Sequence, residues 1–205
     1  MIELFLSSFV TFFVVIDPPG CAPIYAGLTS GASPLQRRIM AVRAVGVAAA
    51  ILLVFALFGE PLLKGLGIEL ASFRIAGGIM LFLIALEMVF EKRTQRREDR
   101  AAKVTPQEAE DVSIFPMAMP MIAGPGSIAS VMLLMARNDG LERSAVVFAA
   151  LAANLALTLA ALLAAGPLMR LMGQKIEAVV TRLLGVLLAA LAVQFVIDGI
   201  EIQLG

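Results

Sequence analysis

The chain has 205 residues, of which 60% are hydrophobic and 16% are charged, and its mean hydropathy is +0.94. Soluble domains are about 45–50% apolar and about 25% charged, so this composition indicates a protein embedded in a membrane. Basic and acidic residues balance at 16 each, which excludes the strongly basic field typical of nucleic-acid binding. Because the chain has no His and only one Cys, we expect no internal disulfide, no metal site and no cofactor.

Apolar stretches long enough to cross a membrane, which takes about 20 residues of helix, occur six times along the chain. They cover residues 3–28, 36–58, 70–90, 114–136, 144–166 and 179–203. A capping-box pattern at Ser33 to Gln36, with Pro34 in the first helical position, predicts where the second helix begins. The first stretch carries Glu3 and no basic residue near its start, so we expect a span rather than a cleaved secretory signal. The sequence predicts an all-α integral membrane protein with six transmembrane helices.

The distribution of Lys and Arg predicts the orientation of these spans, because loops on the cytoplasmic side carry an excess of both residues. The connections after the first, third and fifth spans, with their flanks, hold 12 of the 16 basic residues. The other two connections hold Lys64, Arg74, Arg137 and Arg143. We therefore expect both termini on the extracytoplasmic side of the membrane. Residues 92–113, which are rich in both signs of charge, are expected to form a solvated cytoplasmic linker.

Proline and glycine interrupt two of the six spans, the first and the fourth. Pro19-Gly20 in the first span matches Pro125-Gly126 in the fourth at an offset of 106 residues. A second match, at an offset of 108, aligns the segment from Arg74 to Gly77 with the segment from Arg182 to Gly185. These matches divide the chain into a first repeat (1–91), the linker (92–113) and a second repeat (114–205). Each repeat has three spans, so the second enters the membrane from the opposite side, as in inverted-repeat transporters whose first helices are broken.

The interruptions carry the candidate site. Each starts a new half-helix, whose N-terminus has free N–H groups and the positive end of the helix dipole. If the two N-termini face each other near the bilayer midplane, they can bind an anionic group such as a carboxylate. The residues expected to bind the substrate there are Asp17, Pro18, Gly20, Cys21, Gly124, Gly126 and Ser127.

Several of the candidate residues have more than one interpretation. Asp17 before two prolines is a good N-cap, and as an acid inside the membrane it could also meet a substrate ammonium or carry a coupling proton. An Asn there would keep the cap, because Asn and Asp are about equal as N-caps. Cys21 is interpreted as a small residue near the site, with a reactive thiol as the alternative. Asn154 and Thr158 share one face of the fifth span, where they either hydrogen-bond to a neighbouring helix or contact substrate.

Three segments resemble the signature segments of the MarC family: DPPGCAP at 17–23, FRIAGGIMLFLIALEM at 73–88 and FPMAMPMIAGPGSI at 115–128. The resemblance covers essentially the whole chain, and it adds Pro23 and Pro125 to the presumed site elements. It implies a six-span inner-membrane protein of bacteria or archaea. The resemblance also implies a relationship to transporters of small neutral amino acids and to the LysE-type exporters.

The residues and the resemblance together predict a secondary transporter of small neutral amino acids, driven by a gradient of H⁺ or Na⁺. Its expected partners are the amino acid, the coupling ion and the lipid bilayer. An exporter of drugs or other small metabolites and a channel-like pore remain alternatives, although a channel usually shows a ring of like polar groups. An enzyme is not expected, because without His the candidates for a nucleophile–base pair shrink to Cys21, Ser127 and a few acids. A membrane-embedded structural subunit would not need paired breaks.

The predicted topology can be tested with reporters fused to the C-terminus. A fluorescent protein that folds only in the cytoplasm should stay dark when it follows Gly205, because the basic residues predict an extracytoplasmic C-terminus. A matched fusion within the 92–113 linker should be bright. Bright fluorescence from the full-length C-terminal fusion would contradict the orientation and also the inverted repeat.

Overall fold

The computed structural model describes residues 1–102, 111–138 and 140–204, except for the side chains at 94, 100–102 and 168–178. These residues are helical almost throughout, and no strand occurs among them. An irregular proline-containing stretch, which we name the proline segment (Ser113–Ile122), lies between the fifth and sixth helices. The helices are α1 (Ile2–Ile16), α2 (Pro18–Leu28), α3 (Pro34–Gly65), α4 (Leu70–Val89), α5 (Lys92–Ala102), α6 (Pro125–Arg137), α7 (Leu141–Leu163) and α8 (Ala165–Leu204).

Five stretches of the described residues are long and apolar enough to cross a membrane: Ile2–Leu28, Pro34–Gly65, Leu70–Val89, Leu141–Leu163 and Val179–Leu204. The proline segment and α6 form a sixth stretch, which is bent by 52°. The prediction of an all-α protein with several membrane spans is therefore confirmed. The capping box at the start of α3 is also confirmed, with Ser33 and Gln36 each bonding to the other's backbone N–H.

The irregularity of the proline segment follows from its two prolines. Phe115 (φ −123°, ψ 128°) and Met119 (φ −130°, ψ 123°) have extended backbone. Each precedes a proline, Pro116 or Pro120, and the proline ring disfavours helical backbone in the preceding residue. The chain resumes a regular helix only at Pro125, whose fixed φ suits the first helical position.

The antiparallel helices α4 and α8 pack closely because small residues line their interface. A Cβ atom on Gly78 would lie 2.8 Å from the carbonyl oxygen of Ala192. A Cβ on Gly185 would lie 3.1 Å from the carbonyl oxygen of Ala85. Small interface residues allow such close backbone approach between membrane helices. They recur every seven positions on both helices: Ala71, Gly78 and Ala85 on α4, and Gly185, Ala192 and Gly199 on α8.

The remaining spans pack against this pair or against one another. Helix α1 lies against α7 and α6, while α2 lies against α7 and α8. Helix α3 contacts the proline segment, α6 and α7, and α4 also contacts α6. The buried residues of α1, α3, α6 and α7 form one apolar core.

The polar helix α5 is part of this packed structure. It contacts α4, α2 and the proline segment, and only 5% of Arg97 is exposed. The expectation that residues 92–113 form a solvated linker is therefore wrong for Arg97, and the physical reason lies in the hydrogen bonds that α5 makes to α1. Residues 103–110 of the predicted linker lie outside the described residues.

The close contact between α4 and α8 predicts which glycines tolerate a larger side chain. Gly78→Leu should lower the free energy of unfolding by about 1–3 kcal/mol, the usual cost of overpacking, because its Cβ approaches the α8 backbone. Gly46→Leu is the matched control, since Gly46 also lies inside a membrane helix but a Cβ added there would have no atom within 4 Å. Thermal unfolding in detergent should separate the two variants. Equal stability of both would contradict the packing described for α4 and α8.

Candidate functional site

Asp17 forms the junction between α1 and α2. Its backbone is left-handed (φ 59°, ψ 65°), a conformation that Asp adopts more readily than most residues with a side chain. Its carboxylate oxygen Oδ1 accepts a hydrogen bond from the N–H of Gly20 at 3.2 Å, and Pro18 takes the first helical position. Asp17 is therefore the N-cap of α2, in agreement with the Asp-Pro-Pro pattern.

The prolines at this junction leave main-chain carbonyls of α1 without their helical donors. The carbonyl of Val15 would accept from the N–H of residue 19 in a continuous helix, but Pro19 has no N–H. The carbonyl of Ile16 would accept from Gly20, whose N–H is instead directed to Asp17. Such groups need a replacement donor inside a membrane, because lipid offers none.

Arginines of α5 supply these donors. Arg93 Nη2 donates to the Val15 carbonyl at 2.5 Å, and Arg97 Nη2 donates to the Ile16 carbonyl at 3.3 Å. The thiol of Cys21 also reaches the Ile16 carbonyl at 3.5 Å. The burial of Arg97 is thus explained by the hydrogen bonds that the broken helix requires.

Asp17 and Arg97 form a buried ion pair. Arg97 Nη1 lies 2.8 Å from Asp17 Oδ2, and the side chains are 7% and 2% exposed. Both carboxylate oxygens of Asp17 are therefore engaged, one by Gly20 and one by Arg97. A substrate ammonium can reach this carboxylate only if Arg97 moves away.

Arg93 adds a further positive charge close to this pair. Burial, together with the neighbouring charge of Arg97, lowers the pKa of Arg93 to about 10, so its guanidinium is still protonated at neutral pH. Its hydrogen bonds go to the Val15 carbonyl and to the sulfur of Met88, at 2.9 Å, which are both uncharged. The first break is therefore a positively charged region.

The second break separates the proline segment from α6. Gly124 caps α6 with extended backbone, and a Cβ there would lie 2.3 Å from the carbonyl oxygen of Pro120. No larger residue fits this backbone. Ser127 Oγ donates to the Ile122 carbonyl at 2.7 Å, which satisfies one acceptor at the end of the proline segment.

A cavity of about 290 Å³ opens at the second break, beside the N-terminus of α6. Its polar wall combines the first residues of α6 with charged side chains from α4 and α5, among which Glu87 forms an ion pair with Arg96. Its apolar wall comes mainly from α4. The lining residues are Val15, Met80, Leu83, Ile84, Glu87, Arg93, Arg96, Arg97, Pro120, Met121, Gly124, Pro125, Gly126 and Ser127. A helix N-terminus beside arginines can hold an anionic group, and the apolar wall can accept a small side chain.

The structure separates the residues predicted to bind substrate into three groups. Gly124, Gly126 and Ser127 line the cavity, together with Pro125. Asp17, Pro18, Gly20 and Cys21 lie at the first break, which Arg97 connects to the cavity because it borders both.

The third group is Asn154 with Thr158, which lie outside the cavity lining. Asn154 Nδ2 donates to the Phe9 carbonyl at 2.9 Å, a hydrogen bond between α7 and α1. Thr158 Oγ1 donates to the Asn154 carbonyl at 2.8 Å. These contacts correspond to the helix–helix interpretation of the two residues.

The sequence reasoning did not single out Arg93 or Arg97. Both were counted only toward membrane orientation, as part of a charged linker. The signal that was present is their spacing, because residues four apart on a helix share one face. Nothing local in the sequence indicates that this face meets a helix end about 80 residues earlier.

The buried ion pair changes the outcome expected for Asp17→Asn. The Asn side chain would still cap α2, but the buried pair of Arg97 with the Asp17 carboxylate would be broken, which costs about 3–5 kcal/mol. We therefore expect a large loss of stability, measured as the free energy of unfolding in detergent. Glu87→Gln is the matched control, because its partner Arg96 is 55% exposed and such pairs contribute about 0–1 kcal/mol.

The double variant Asp17→Asn with Arg97→Gln should regain part of the lost stability, since the guanidinium charge is removed with the carboxylate while its hydrogen bond to the Ile16 carbonyl is lost. A single Asp17→Asn variant as stable as Glu87→Gln would contradict the buried pair.

Comparison with known proteins agrees with this architecture. The family described as "MarC family integral membrane protein" matches residues 2–204. A UPF0056 membrane protein of Methanocaldococcus jannaschii is 37% identical over 203 residues, which cover 98% of this chain and 97% of that protein. The UPF0056 membrane protein YvbG of Bacillus subtilis is 33% identical, over 98% of this chain and 96% of its own. The UPF0056 inner membrane protein YhgN of Escherichia coli is 32% identical, over 96% and 95%. No solved structure matches the chain. The protein belongs to the MarC family of integral membrane proteins.

Proposed function

We propose that the protein is a secondary transporter of small neutral amino acids, and that it binds the substrate carboxylate in the cavity at the N-terminus of α6. The observation that carries this proposal is the cavity itself, in which a helix N-terminus and three arginines meet at a break in a membrane-embedded chain. Such breaks in corresponding positions are the best sequence-level pointer to a transporter binding site.

The size of the cavity supports a small substrate. Pockets for small molecules usually measure about 300–1,000 Å³, so a volume of about 290 Å³ lies at the lower limit. The apolar wall from Met80, Leu83 and Ile84 suits a short aliphatic side chain. A drug-sized molecule fits this volume poorly, which favours the amino acid transporter over the drug exporter.

An inverted repeat is part of the proposal, and the two breaks support it. Cys21 donates from its thiol to the carbonyl five residues earlier, Ile16. Ser127 donates from its hydroxyl to the carbonyl five residues earlier, Ile122. The two bonds are related by an offset of 106 residues, the same offset that relates Pro19-Gly20 to Pro125-Gly126.

Contacts between helices also support a two-fold relation. An offset of 107 residues relates Gly78 to Gly185 and Ala85 to Ala192. The contact between Gly78 and Ala192 in one half therefore corresponds to the contact between Gly185 and Ala85 in the other. The register differs by one residue from the sequence match, which paired Gly77 with Gly185. Packing between elements follows the same relation. Helices α1 and α2 contact α7, and the corresponding elements of the second half, the proline segment and α6, contact α3.

The proposed location is the inner membrane of a bacterium or archaeon, with both termini outside the cytoplasm. In this orientation α5 covers the site from the cytoplasmic side. The transport cycle would expose the cavity to each side in turn, and a gradient of H⁺ or Na⁺ would drive it.

Transport of alanine or glycine by the purified protein in liposomes tests the proposal. Uptake should be saturable and should depend on an imposed H⁺ or Na⁺ gradient. Gly126→Val should reduce it at least tenfold, because a Cβ at this position would lie 2.6 Å from Ile84 Cδ1 and 3.2 Å from Val15 Cγ1. The matched control is Gly46→Val, whose added Cβ meets nothing within 4 Å and should leave uptake unchanged.

Flux that does not saturate and follows only the concentration difference would favour the channel-like pore. Normal uptake by a folded Gly126→Val protein would show that the second break is not part of the substrate-binding site.

A further inference from the structure

We propose that the protein binds one anionic phospholipid at the N-terminal end of α3, where Arg37 and Arg38 hold the headgroup phosphate. The site is a cavity of about 460 Å³ between the C-terminal ends of α2 and α7 and the N-terminal ends of α3 and α8. It shares no lining residue with the cavity at the N-terminus of α6. The inference therefore goes beyond the proposed transport function and does not depend on it.

The polar wall of this cavity is positively charged. Arg37 and Arg38 line it, and no acidic residue occurs among the described residues that do so. The two hydroxyl groups in the wall already have acceptors, because Tyr25 donates to the Arg37 carbonyl and Thr29 donates to the Tyr25 carbonyl. A ligand that compensates the charge of the wall must therefore be an anion.

The two arginines differ in how firmly they are held. Arg37 donates from Nη2 to the Ser30 carbonyl at 2.7 Å and from Nε to the Ala32 carbonyl at 3.1 Å. These acceptors fix the guanidinium but carry no charge that would neutralise it. Arg38 is exposed and forms no hydrogen bond or ion pair within the part of the chain that the structure describes. One positioned and one adjustable guanidinium suit the two free oxygens of a phosphodiester.

Apolar surface next to the arginines favours a lipid over a free phosphate ion. Leu163 forms part of the cavity wall and is 47% exposed. Val42 lies one turn after Arg38 on the same face of α3, and it is exposed as well. A phospholipid whose headgroup lies at the arginines can cover this surface with its acyl chains, whereas a phosphate ion cannot. Basic pockets between the ends of membrane helices are typical binding sites for anionic lipid headgroups.

A second cavity, of about 320 Å³, lies at the other end of α3. Ser144 and Phe55 line it, and an offset of 107 residues relates them to Arg37 and Leu162 of the first cavity. Helix α3 is continuous from residue 37 to residue 60, which lines the second cavity, and this length corresponds to about 35 Å. Because the hydrocarbon core is about 30 Å thick, the two cavities lie at opposite faces of the membrane.

The charges of the second cavity are balanced. Glu60 and Lys64 line it, and the Lys64 Nζ lies 2.7 Å from the Glu60 carboxylate oxygen Oε1. Ser144 stands where the first cavity has Arg37. This arrangement does not favour an anion, so Lys64 supplies a matched control that lies far from the proposed lipid site.

The experiment titrates the purified full-length protein in an uncharged detergent and measures bound lipid by native mass spectrometry. The probes are dioleoyl phosphatidylglycerol, which is anionic, and dioleoyl phosphatidylcholine, which has the same chains but no net charge. One molecule of phosphatidylglycerol should bind at least tenfold more tightly than phosphatidylcholine, and an excess of inorganic phosphate should not displace it. Equal binding of the two lipids would overturn the proposal, and this comparison needs no variant to fold.

Arg38→Gln should weaken the binding of phosphatidylglycerol about tenfold, because a hydrogen bond to a charged group contributes about 1.5–3 kcal/mol. The variant should keep the stability of the wild-type protein, since Arg38 makes no contact that the substitution would remove. Lys64→Gln removes the same charge at the other face of the membrane and should leave the binding unchanged.

An equal loss of binding in Lys64→Gln would show that general charge attraction holds the lipid, and it would overturn the inference. Unchanged binding in Arg38→Gln would overturn it too. If inorganic phosphate displaced phosphatidylglycerol from the wild-type protein, the cavity would be a site for a free anion and not for a lipid.

Discussion

A main-chain carbonyl that loses its helical donor inside a membrane has to find another, and the first break depends on this requirement. Pro19 removes the donor for Val15, and the capping interaction of Asp17 with Gly20 removes the donor for Ile16. The two carbonyls sit at the end of α1 as a pair of partial negative charges. The guanidinium groups of Arg93 and Arg97 donate to these two carbonyls. Because both arginines belong to α5, the same hydrogen bonds hold this polar helix against the apolar protein. The position of α5 and one wall of the cavity are thus linked to the Asp17-Pro18-Pro19 sequence at the break.

The two breaks solve the same problem with different chemistry. At the first, Asp17 caps the new helix, and arginines from another element satisfy the broken one. At the second, Gly124 caps α6 without a side chain and leaves its N–H groups beside the cavity. One break is therefore filled with protein charges, while the other is free to receive a ligand. Since Arg97 borders both, a ligand at the second break, as proposed, would lie next to the ion pair at the first.

Local patterns in the sequence were sufficient for much of this structure. Hydropathy predicted the spans, the Ser33–Gln36 pattern predicted the start of α3, and Asp-Pro-Pro predicted the cap of α2. The position of α5 could not be predicted in this way, because a helix rich in Lys, Arg, Glu and Asp has the composition of a solvated one. The burial of Arg97 depends on groups about 80 residues earlier in the chain, and no pattern within α5 indicates them. The position of Asn154 outside the cavity could not be predicted either, because it depends on which helix packs against α7.

Helix α5 also introduces an asymmetry into the proposed inverted repeat. The relation between the halves accounts for two breaks, two similar back-bonds and the exchanged contacts of α4 and α8. Among the described residues it provides no counterpart of α5, which follows the first half in the chain and contacts α4, α2 and the proline segment. A symmetric pair of half-helices would offer two equivalent routes to the cavity. Arg93 and Arg97, which donate to carbonyls of α1, line the cavity on the α5 side and make the two routes inequivalent. On the proposed function, a charged ligand in the cavity would meet these guanidinium groups directly, and it would therefore act on the α5 side.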